Sequence, residues 1–139
     1  MKGRHMNDNI LEIKRYDGEG YRPLIDFGSW RVAILRWLPG MEPENTDRVE
    51  RHTQTDEVFV LLNGQATLFI GGNSTDVDAI QSIKMESGIL YNVKQNVWHT
   101  VLLSHDATIL LVENRNTGET NTEYSGLTAE TRAEIINSV

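Results

Sequence analysis

Apolar and polar residues alternate along the chain from position 30 to position 113, and turn-forming residues interrupt the alternation about every ten positions. An alternation with a period of two is typical of strands that bury one face. Strands are predicted at residues 30–38, 57–62, 65–70, 80–85, 89–93, 98–103 and 108–113. Many short strands separated by regularly spaced turns indicate an all-β sandwich or barrel.

One turn signal predicts a specific strand pair. Residues 57–62 are apolar on both faces, which predicts a strand enclosed between two layers. Asn63-Gly64 follows, and this dipeptide favours a type I′ turn because that turn needs positive φ at both central residues. Residues 65–70 are therefore predicted to return as the hairpin partner of 57–62.

The C-terminal part of the chain has a different pattern. Residues 114–126 are polar and predict a linker that runs over the surface. Residues 127–136 place Thr128 as an N-cap, an acid in the first turn and apolar residues near the end, which predicts one short helix. The predicted organisation is a leader at residues 1–5, a barrel with its loops at residues 6–126 and a C-terminal helix at residues 127–139.

Composition excludes several kinds of function. The chain has 139 residues, which suits one domain with a core, and no cysteine, so disulfides, thiolate metal sites and cysteine nucleophiles are excluded. Residues 1–5 resemble a cloning leader, so His5 is discounted as a ligand, and leaving out Lys2 and Arg4 moves the formal net charge from −7 to −9. An acidic chain repels phosphate backbones, and no apolar stretch reaches the roughly 18 residues of a membrane span. Nucleic acid and membrane are not expected as partners, and a cytoplasmic protein is expected.

Four side chains with metal-binding chemistry lie near the predicted strands: Glu50, His52, Glu57 and His99. Residues two apart in a strand share a face, so Glu50 and His52 project together. Residues 53–56 are polar enough to turn the chain, after which Glu57 can face back from the neighbouring strand. His99 opens another strand and can close the site. The structural alternatives are a surface histidine at position 52 and a core histidine bonded to a carbonyl at position 99.

Two imidazoles and two carboxylates suit Mn²⁺, Fe²⁺, Zn²⁺ or Ni²⁺ far better than Ca²⁺ or Cu⁺. The sequence therefore predicts one divalent transition metal ion. Two ionised carboxylates would neutralise its formal charge, which weakens its power to acidify a bound water.

Residues 50–64 and 88–99 resemble the two signature motifs of the cupin superfamily, whose members are small β-barrels with a mononuclear metal inside. The motifs are H-x-H-x(3,4)-E-x(6)-G and G-x(5)-P-x-G-x(2)-H, and the matching residues are His52, Glu57 and Gly64 in the first and Gly88 and His99 in the second. The resemblance implies a double-stranded β-helix, or jelly roll, with metal ligands at the matched positions. It also implies a homodimer that pairs through its sheets.

Three positions depart from the motifs. Glu50 stands where the family has its first histidine, Lys94 where it has proline and Asn96 where it has glycine. Asparagine adopts the left-handed conformation more readily than other non-glycine residues, so Asn96 is compatible with the turn. Glu50 lies in a run of mixed charge, and an exposed ion pair with Arg48 or Arg51 is as good an interpretation as metal ligation.

Three further residues are predicted to contact a small-molecule ligand: Arg36, Tyr91 and Trp98. Arg36 interrupts an apolar strand, where it can anchor an anion, pair with a buried Glu50 or lie at a solvent-exposed edge. Residues 91–99 contain Tyr91 and the Trp98-His99 pair, and they are similar to the Y-x(n)-W-H segment of ureidoglycolate lyases. His105 lies in a compact turn and is predicted to be structural.

The resemblance implies a metal-dependent lyase, isomerase or dioxygenase that acts on a small polar carboxylated metabolite, with a ureidoglycolate lyase-like reaction as one candidate. The metal would polarise a carbonyl or carboxylate as a Lewis acid, and Glu50 would either ligate or act as the base. The alternative is a non-catalytic cupin that acts as a small-molecule sensor or binding module, because fold alone does not decide the reaction.

Overall fold

The computed structural model describes residues 7–139, so the predicted leader at residues 1–5 and His5 lie outside the described part of the chain. Within residues 7–139, ten strands form two five-stranded antiparallel sheets, and one α-helix follows them. The elements are β1 (Gly20–Phe27), β2 (Trp30–Arg36), β3 (Arg48–His52), β4 (Glu57–Asn63), β5 (Ala66–Ile70), β6 (Gln81–Lys84), β7 (Leu90–Val93), β8 (His99–Leu103), β9 (Thr108–Asn114), β10 (Thr122–Gly126) and α1 (Ala129–Asn137). The predicted all-β barrel with a short C-terminal helix is confirmed.

The two sheets are named here after one strand of each. The β4 sheet has the strand order β1-β2-β9-β4-β7, and the β3 sheet has the order β10-β3-β8-β5-β6. Phe59 and Leu61 on β4 and Ile109 on β9 are at most 3% exposed, and they pack in one cluster with Leu68 on β5 of the other sheet. Burying side chains of this size stabilises the fold by about 1.5–3 kcal/mol each. The alternation that produces this core also turns Glu57, two residues before Phe59, towards the interior.

The predicted hairpin at Asn63-Gly64 is wrong. Strands β4 and β5 lie in different sheets: β4 pairs with β7 and β9, whereas β5 pairs with β6 and β8. Gly64 has a φ of +78°, but Asn63 does not have positive φ, so the turn is not of type I′. A Cβ atom on Gly64 would lie 2.6 Å from Ala107 Cα, and the Asn63 side chain donates to Asp106 O at 3.0 Å. Asn63-Gly64 therefore packs against the turn at Asp106 and Ala107, at the point where the chain crosses from one sheet to the other.

Three strands lie outside the seven predicted ranges: β3, which was assumed only in placing Glu50 and His52 on one face, and two strands that were not predicted at all. Residues 114–126 were predicted to be a linker, but they contain β10, which pairs with β3 along its whole length. Strand β1 pairs with β2 and lies before residues 30–113, the region in which the alternating pattern predicted strands. Both are edge strands of their sheets. An edge strand faces solvent along much of its surface, so it can be polar and leave only a weak hydrophobic signal.

The C-terminal helix begins and ends close to the predicted positions. The Thr128 side chain accepts a hydrogen bond from the Thr131 N–H at 3.1 Å, which is the predicted N-cap. Ile135 is fully buried and packs with Phe69 and Leu102 on the β3 sheet. Helix α1 therefore covers the outer face of that sheet. Within residues 7–139, no helix has the length and apolar character needed to cross a membrane.

A positive φ at Asn96 gives the first testable prediction. Asn96 has a φ of +67°, and no other non-glycine residue in the described chain has a positive φ. Its N–H donates to His52 O at 2.9 Å, which joins the turn before β8 to the end of β3. We expect Asn96→Ala to lower the free energy of unfolding by about 1 kcal/mol, because alanine is strained in the left-handed region. We expect Asn96→Gly to leave it nearly unchanged, as measured by urea denaturation. An equal loss in both variants would contradict this explanation.

Candidate metal centre

The four predicted ligands come together from three strands of both sheets. Glu50 and His52 share the inner face of β3, and Glu50 pairs directly opposite His99 of β8. Glu57 begins β4, which belongs to the opposing sheet. The prediction that Glu57 faces back from a neighbouring strand is wrong in that detail, because residues 53–56 carry the chain from one sheet to the other.

Both histidine rings point at the same carboxylate oxygen. His52 Nε2 lies 3.1 Å and His99 Nε2 lies 3.2 Å from Glu57 Oε1. The exposed fractions of His52, Glu57 and His99 are 8%, 6% and 2%. The structural alternative of a surface histidine at position 52 therefore does not hold. These three side chains form a water-poor cluster inside the barrel.

The other ring nitrogen of each histidine is held by the protein. His99 Nδ1 lies 2.9 Å from Val97 O, and a carbonyl oxygen can only accept, so Nδ1 carries the proton. A neutral His99 then has an unprotonated Nε2, which faces a carboxylate oxygen that also only accepts. Such a pair repels unless a cation lies between the two atoms, and that cation is either a proton or a metal ion. His52 Nδ1 is similarly held by Thr122 Oγ1 at 2.9 Å.

The donor set fits a divalent transition metal. Metal-binding histidines commonly present Nε2 to the ion while Nδ1 donates to a carbonyl, which fixes ring orientation and tautomer. Two ligand atoms that each lie about 2.1 Å from an ion, with a ligand–ion–ligand angle of about 90°, are about 3.0 Å apart. The observed separations of 3.1 Å and 3.2 Å are close to that value. Imidazole nitrogens with carboxylate oxygens suit Fe²⁺, Mn²⁺, Ni²⁺ and Zn²⁺.

Glu50 faces the cluster and not a surface arginine. Its carboxylate offers a ligand atom within 4.8 Å of ligand atoms of His52 and His99. Arg51 pairs instead with Glu123 at 2.8 Å, and the Arg48 guanidinium lies over the Tyr124 ring. The alternative of an ion pair between Glu50 and either arginine is therefore not found. Glu50 is half-buried. Its carboxylate is therefore placed either to be a fourth metal ligand or to lie opposite the fourth ligand.

A fifth side chain in the cluster was not predicted. Glu113 on β9 is 6% exposed, and a ligand atom of it lies within 4.8 Å of ligand atoms of His52 and Glu57. The Tyr21 hydroxyl, from the unpredicted strand β1, donates to Glu113 Oε2 at 3.1 Å. The sequence did contain a signal for Glu113, because it continues the alternating face of buried apolar residues on its strand. A carboxylate on a buried face needs a hydrogen-bond donor, an opposite charge or a metal ion to compensate its loss of water.

The buried charges shift one another's pKa values. Burial raises the pKa of Glu57, but hydrogen bonds from His52 and His99 outweigh it and hold that pKa well below its usual range. Burial, together with the adjacent Glu57, raises the pKa of Glu113 to about 8. Burial lowers the pKa of both histidines, but Glu57 outweighs it and the net direction is upward. At neutral pH, Glu57 is therefore the ionised carboxylate and Glu113 retains a proton.

These shifts predict how the stability of the metal-free protein depends on pH. The stabilisation from Glu57 is present above its ordinary pKa of 4.5 and is lost as pH falls below it. The stabilisation from His52 and His99 is present below their ordinary pKa of 6.5 and is lost as pH rises through their folded values. The pKa of Glu113 is about 8 in the folded protein and 4.5 ordinarily. Between these two pH values the folded chain holds a proton that the unfolded chain has released, so the free energy of unfolding falls as pH rises through that interval.

We therefore expect the free energy of unfolding of chelator-treated protein to be greatest near pH 4.5 and to fall as pH rises, by at least about 1 kcal/mol by pH 8. Urea denaturation across this range measures it. Metal requires deprotonated ligands, so added metal should move the maximum to higher pH. A metal-free maximum at pH 8 would contradict the assigned protonation states.

The three predicted ligand-binding residues are not brought to the cluster. Arg36 donates to Gly18 O at 2.9 Å and to Thr108 Oγ1 at 2.6 Å, and Thr108 lies five residues, about 17 Å, along β9 from Glu113. The Tyr91 hydroxyl accepts from the Glu86 N–H at 2.9 Å.

Trp98 is 4% exposed, donates from Nε1 to Ser74 O at 2.9 Å and is covered by the Arg51 guanidinium. His105 stacks on Trp37 with ring centres 4.0 Å apart and lies outside the cluster, in line with its predicted structural role.

Three cavities meet at Glu50. One of about 260 Å³ is polar and is lined by Tyr21, His52, Glu113 and Tyr124 in addition to Glu50. A second, of about 350 Å³, is lined by Arg48, His99 and Tyr124 as well as Glu50. A third, of about 210 Å³, reaches into the barrel and has apolar walls that include Leu35, Phe59 and Leu111. Small molecules therefore have room beside the cluster on more than one side.

Comparison with known proteins gives weak sequence similarity. No family model matches the chain. The chain is 25% identical over 103 residues to ureidoglycolate lyases of Salmonella typhimurium (strain LT2) and Salmonella newport (strain SL254), which covers 72% of this chain. The chain spans 63% of the length of these curated relatives.

Solved structures show the fold. A Streptomyces Pac13 variant with uridine matches with a TM-score of 0.57 and 14% identity, covering 87% of this chain and 88% of that one. The QdtA 3,4-ketoisomerase from Thermoanaerobacterium thermosaccharolyticum, in complex with TDP, matches with a TM-score of 0.55 and 18% identity, covering 71% and 68%. Oxalate decarboxylase from Lactobacillus farciminis matches with a TM-score of 0.54 and 16% identity, covering 84% and 34%. The chain has the β-barrel fold of the cupin superfamily, as its two motifs predicted.

Proposed function

We propose that this cupin-fold protein binds one divalent transition metal ion through His52, Glu57 and His99, with Glu50 either as the fourth ligand or as a base beside the metal. The observation that carries the proposal is the convergence of two Nε2 atoms on Glu57 Oε1, with the His99 ring fixed by Val97 O so that Nε2 is left for a cation. Fe²⁺, Mn²⁺, Ni²⁺ and Zn²⁺ all suit these donors.

The site would act on a small polar metabolite that carries a carboxylate. The metal would supply Lewis acidity that polarises a carbonyl or carboxylate of that molecule. The protein holds the two histidine rings by their Nδ1 atoms and buries His52, Glu57 and His99 away from solvent. Glu50 lines all three cavities, so it faces the bound metabolite either as a ligand or as a base.

A ureidoglycolate lyase-like reaction is the leading candidate among lyase, isomerase and dioxygenase chemistry. It is supported by the 25% identity to ureidoglycolate lyases over 103 residues. The second candidate is a non-catalytic cupin that binds or senses a small molecule, and the replacement of the first motif histidine by Glu50 favours it.

Metal content and turnover test this proposal together. Protein purified without chelator should contain about one metal ion per chain by elemental analysis, or should take one up from Fe²⁺, Mn²⁺, Ni²⁺ or Zn²⁺. Consumption of ureidoglycolate by the metal-loaded protein would support the lyase, whereas binding without consumption would support the sensor. The metal proposal fails if none of the four ions binds.

The role of Glu50 can be tested by restoring the motif residue. We expect Glu50→His to retain the metal or to bind Zn²⁺ more tightly, because a histidine here completes the donor set of the motif. We expect Glu50→Ala to bind it at least about tenfold more weakly, measured by competition with a chromogenic chelator. Identical Zn²⁺ affinities in the parent and both variants would show that Glu50 does not ligate.

We also propose that two copies of the chain pair through the outer face of the β4 sheet. The outward side chains of its central strands are apolar and only half-buried, namely Val32, Ile34, Val58, Val60, Leu110 and Val112. Leu90, beside Val60, is 70% exposed. Light scattering should give twice the chain mass of 15.8 kDa. A monomer at micromolar concentration would contradict the pairing. A cytoplasmic location, and the absence of nucleic-acid and membrane partners, remain predictions.

A further inference from the structure

An arginine lies in line with the metal-binding residues of β3. Residues two apart in a strand share a face, so Arg48, Glu50 and His52 follow one another along the inner side of this strand. Each step of two residues is about 6.6 Å. Arg48 is therefore the next side chain along the face that carries the cluster, beyond Glu50 and towards solvent.

Arg48 is held in place without an anionic partner. Its Cζ atom lies 3.9 Å from the centre of the Tyr124 ring, and Tyr124 pairs directly opposite Glu50. Among the described residues, no carboxylate lies within ion-pair distance of Arg48, whereas eight other cationic side chains have such a partner: Arg15, Arg31, Arg51, His52, Lys94, His99, His105 and Arg115. The Tyr124 hydroxyl donates to Glu119 Oε1 at 2.9 Å, which fixes the ring that supports the guanidinium.

The cavity of about 350 Å³ joins Arg48 to the cluster. Arg48, Glu50, His99 and Tyr124 all line it, together with Asp47. Arg48 is the one lysine or arginine among the described residues that line this cavity. Glu50 and Glu57 bring carboxylates into the cluster, so an anionic metabolite needs a cation outside the cluster for its charged end. Arg36, the arginine that the sequence suggested for this task, lies at the other end of β9.

We propose that Arg48, supported by Tyr124, is a carboxylate-binding subsite that orients an anionic substrate towards the Glu50–His99 side of the cluster. This inference deepens the proposed function, since it assumes that a small metabolite approaches the cluster. A guanidinium presents two parallel N–H donors that match a carboxylate, and its planar face can remain on the tyrosine ring while they bind. The subsite would select hydroxy acids and related carboxylates over neutral analogues of the same size.

Glycolate is a suitable probe because it carries one carboxylate and one hydroxyl. Its binding is measured by ¹⁵N-HSQC titration at constant ionic strength, once with chelator-treated protein and once with metal-loaded protein. The variants are Arg48→Met, which keeps the length of the side chain and removes the charge, and Arg22→Met as the matched control. Arg22 is also exposed and lies over a tyrosine ring, at 5.8 Å from the centre of Tyr16, on the outer side of the other sheet.

We expect Arg48→Met to raise the Kd of glycolate about 10- to 100-fold, the effect of losing a charge-assisted hydrogen bond. Arg22→Met should leave it unchanged, and metal affinity should be the same in all three proteins. Unchanged glycolate affinity in Arg48→Met, or no saturable binding to the parent in either form, would overturn the subsite. Tighter binding of inorganic phosphate than of glycolate would overturn its assignment to carboxylates.

The same measurements test the metal site independently of the carboxylate subsite. If no metal binds but chelator-treated parent still binds glycolate through Arg48, the metal site is wrong and the subsite stands. If metal binds and Arg48→Met has no effect on glycolate, the subsite is wrong and the metal site stands.

Discussion

Replacing His99 by alanine is expected to lower the affinity for Zn²⁺ or Mn²⁺ by more than about 100-fold, beyond the 10- to 100-fold that loss of an outer-shell partner costs. His99 is 2% exposed, and Val97 O holds its ring so that Nε2 faces Glu57. Alanine removes one of the two nitrogen donors, and no other described histidine lies near enough to replace it. His52→Ala should have a similar effect.

The matched control for this experiment is His105→Ala. His105 also faces a carboxylate, Glu42, at 3.3 Å, but its side chain is 69% exposed and lies outside the cluster. Metal affinity should therefore be unchanged in that variant. His99→Gln, which keeps more of the side-chain volume, separates loss of a ligand from loss of packing, and thermal melts confirm that each variant folds. Equal metal affinity in His99→Gln and His105→Ala would contradict the site.

Replacing Glu57 by glutamine is expected to have the second large effect, and on two measurements. Glu57 is the anion between two buried histidines, and glutamine keeps its shape but removes its charge. Metal affinity should fall by more than about 100-fold, since the oxygen ligand loses its charge. Without metal, the free energy of unfolding should fall by roughly 2–4 kcal/mol at pH 6, because the protonated imidazoles lose their buried counter-charge.

Glu42→Gln is the control for the change in charge. It removes the carboxylate of the other histidine–glutamate pair, whose side chains are 69% and 45% exposed. An exposed pair contributes at most about 1 kcal/mol and often less, so stability should change by less than about 0.5 kcal/mol. Urea denaturation at pH 6 and chelator competition measure both effects. Equally small changes in metal affinity and in the free energy of unfolding for Glu57→Gln and Glu42→Gln would contradict the role assigned to the buried Glu57.

Strands that bury a whole face were predicted well, whereas of the four edge strands β6 and β7 were predicted and β1 and β10 were not. Residues 57–62 and 108–113 were predicted within one residue of β4 and β9, because both fill the core with alternate side chains. Strand β10 has Tyr124 as its one large apolar residue, and β1 contains Pro23 next to a register shift, which interrupts a strand pattern. Missing β1 concealed Tyr21, and so the hydrogen bond that accompanies Glu113 was not predicted.

The failed hairpin has a related cause. Asn63-Gly64 favours a tight turn, but local preference does not state which sheet receives the next strand. Contact of Gly64 with Ala107 and the Asn63 hydrogen bond to Asp106 O direct the chain across the barrel. Such contacts join residues about forty positions apart, so no window of local sequence contains them.

The sequence by itself determined the barrel, the C-terminal helix and the identity of four side chains in the cluster, since alternation, capping and motif spacing are local properties. Only the tertiary structure decided that Glu57 approaches from the opposing sheet, that Glu50 faces inward and that Glu113 and Arg48 flank it. These facts depend on which strands pair and which faces meet. Pairing is set by the burial of the whole core, and the free energy of that burial belongs to no single segment.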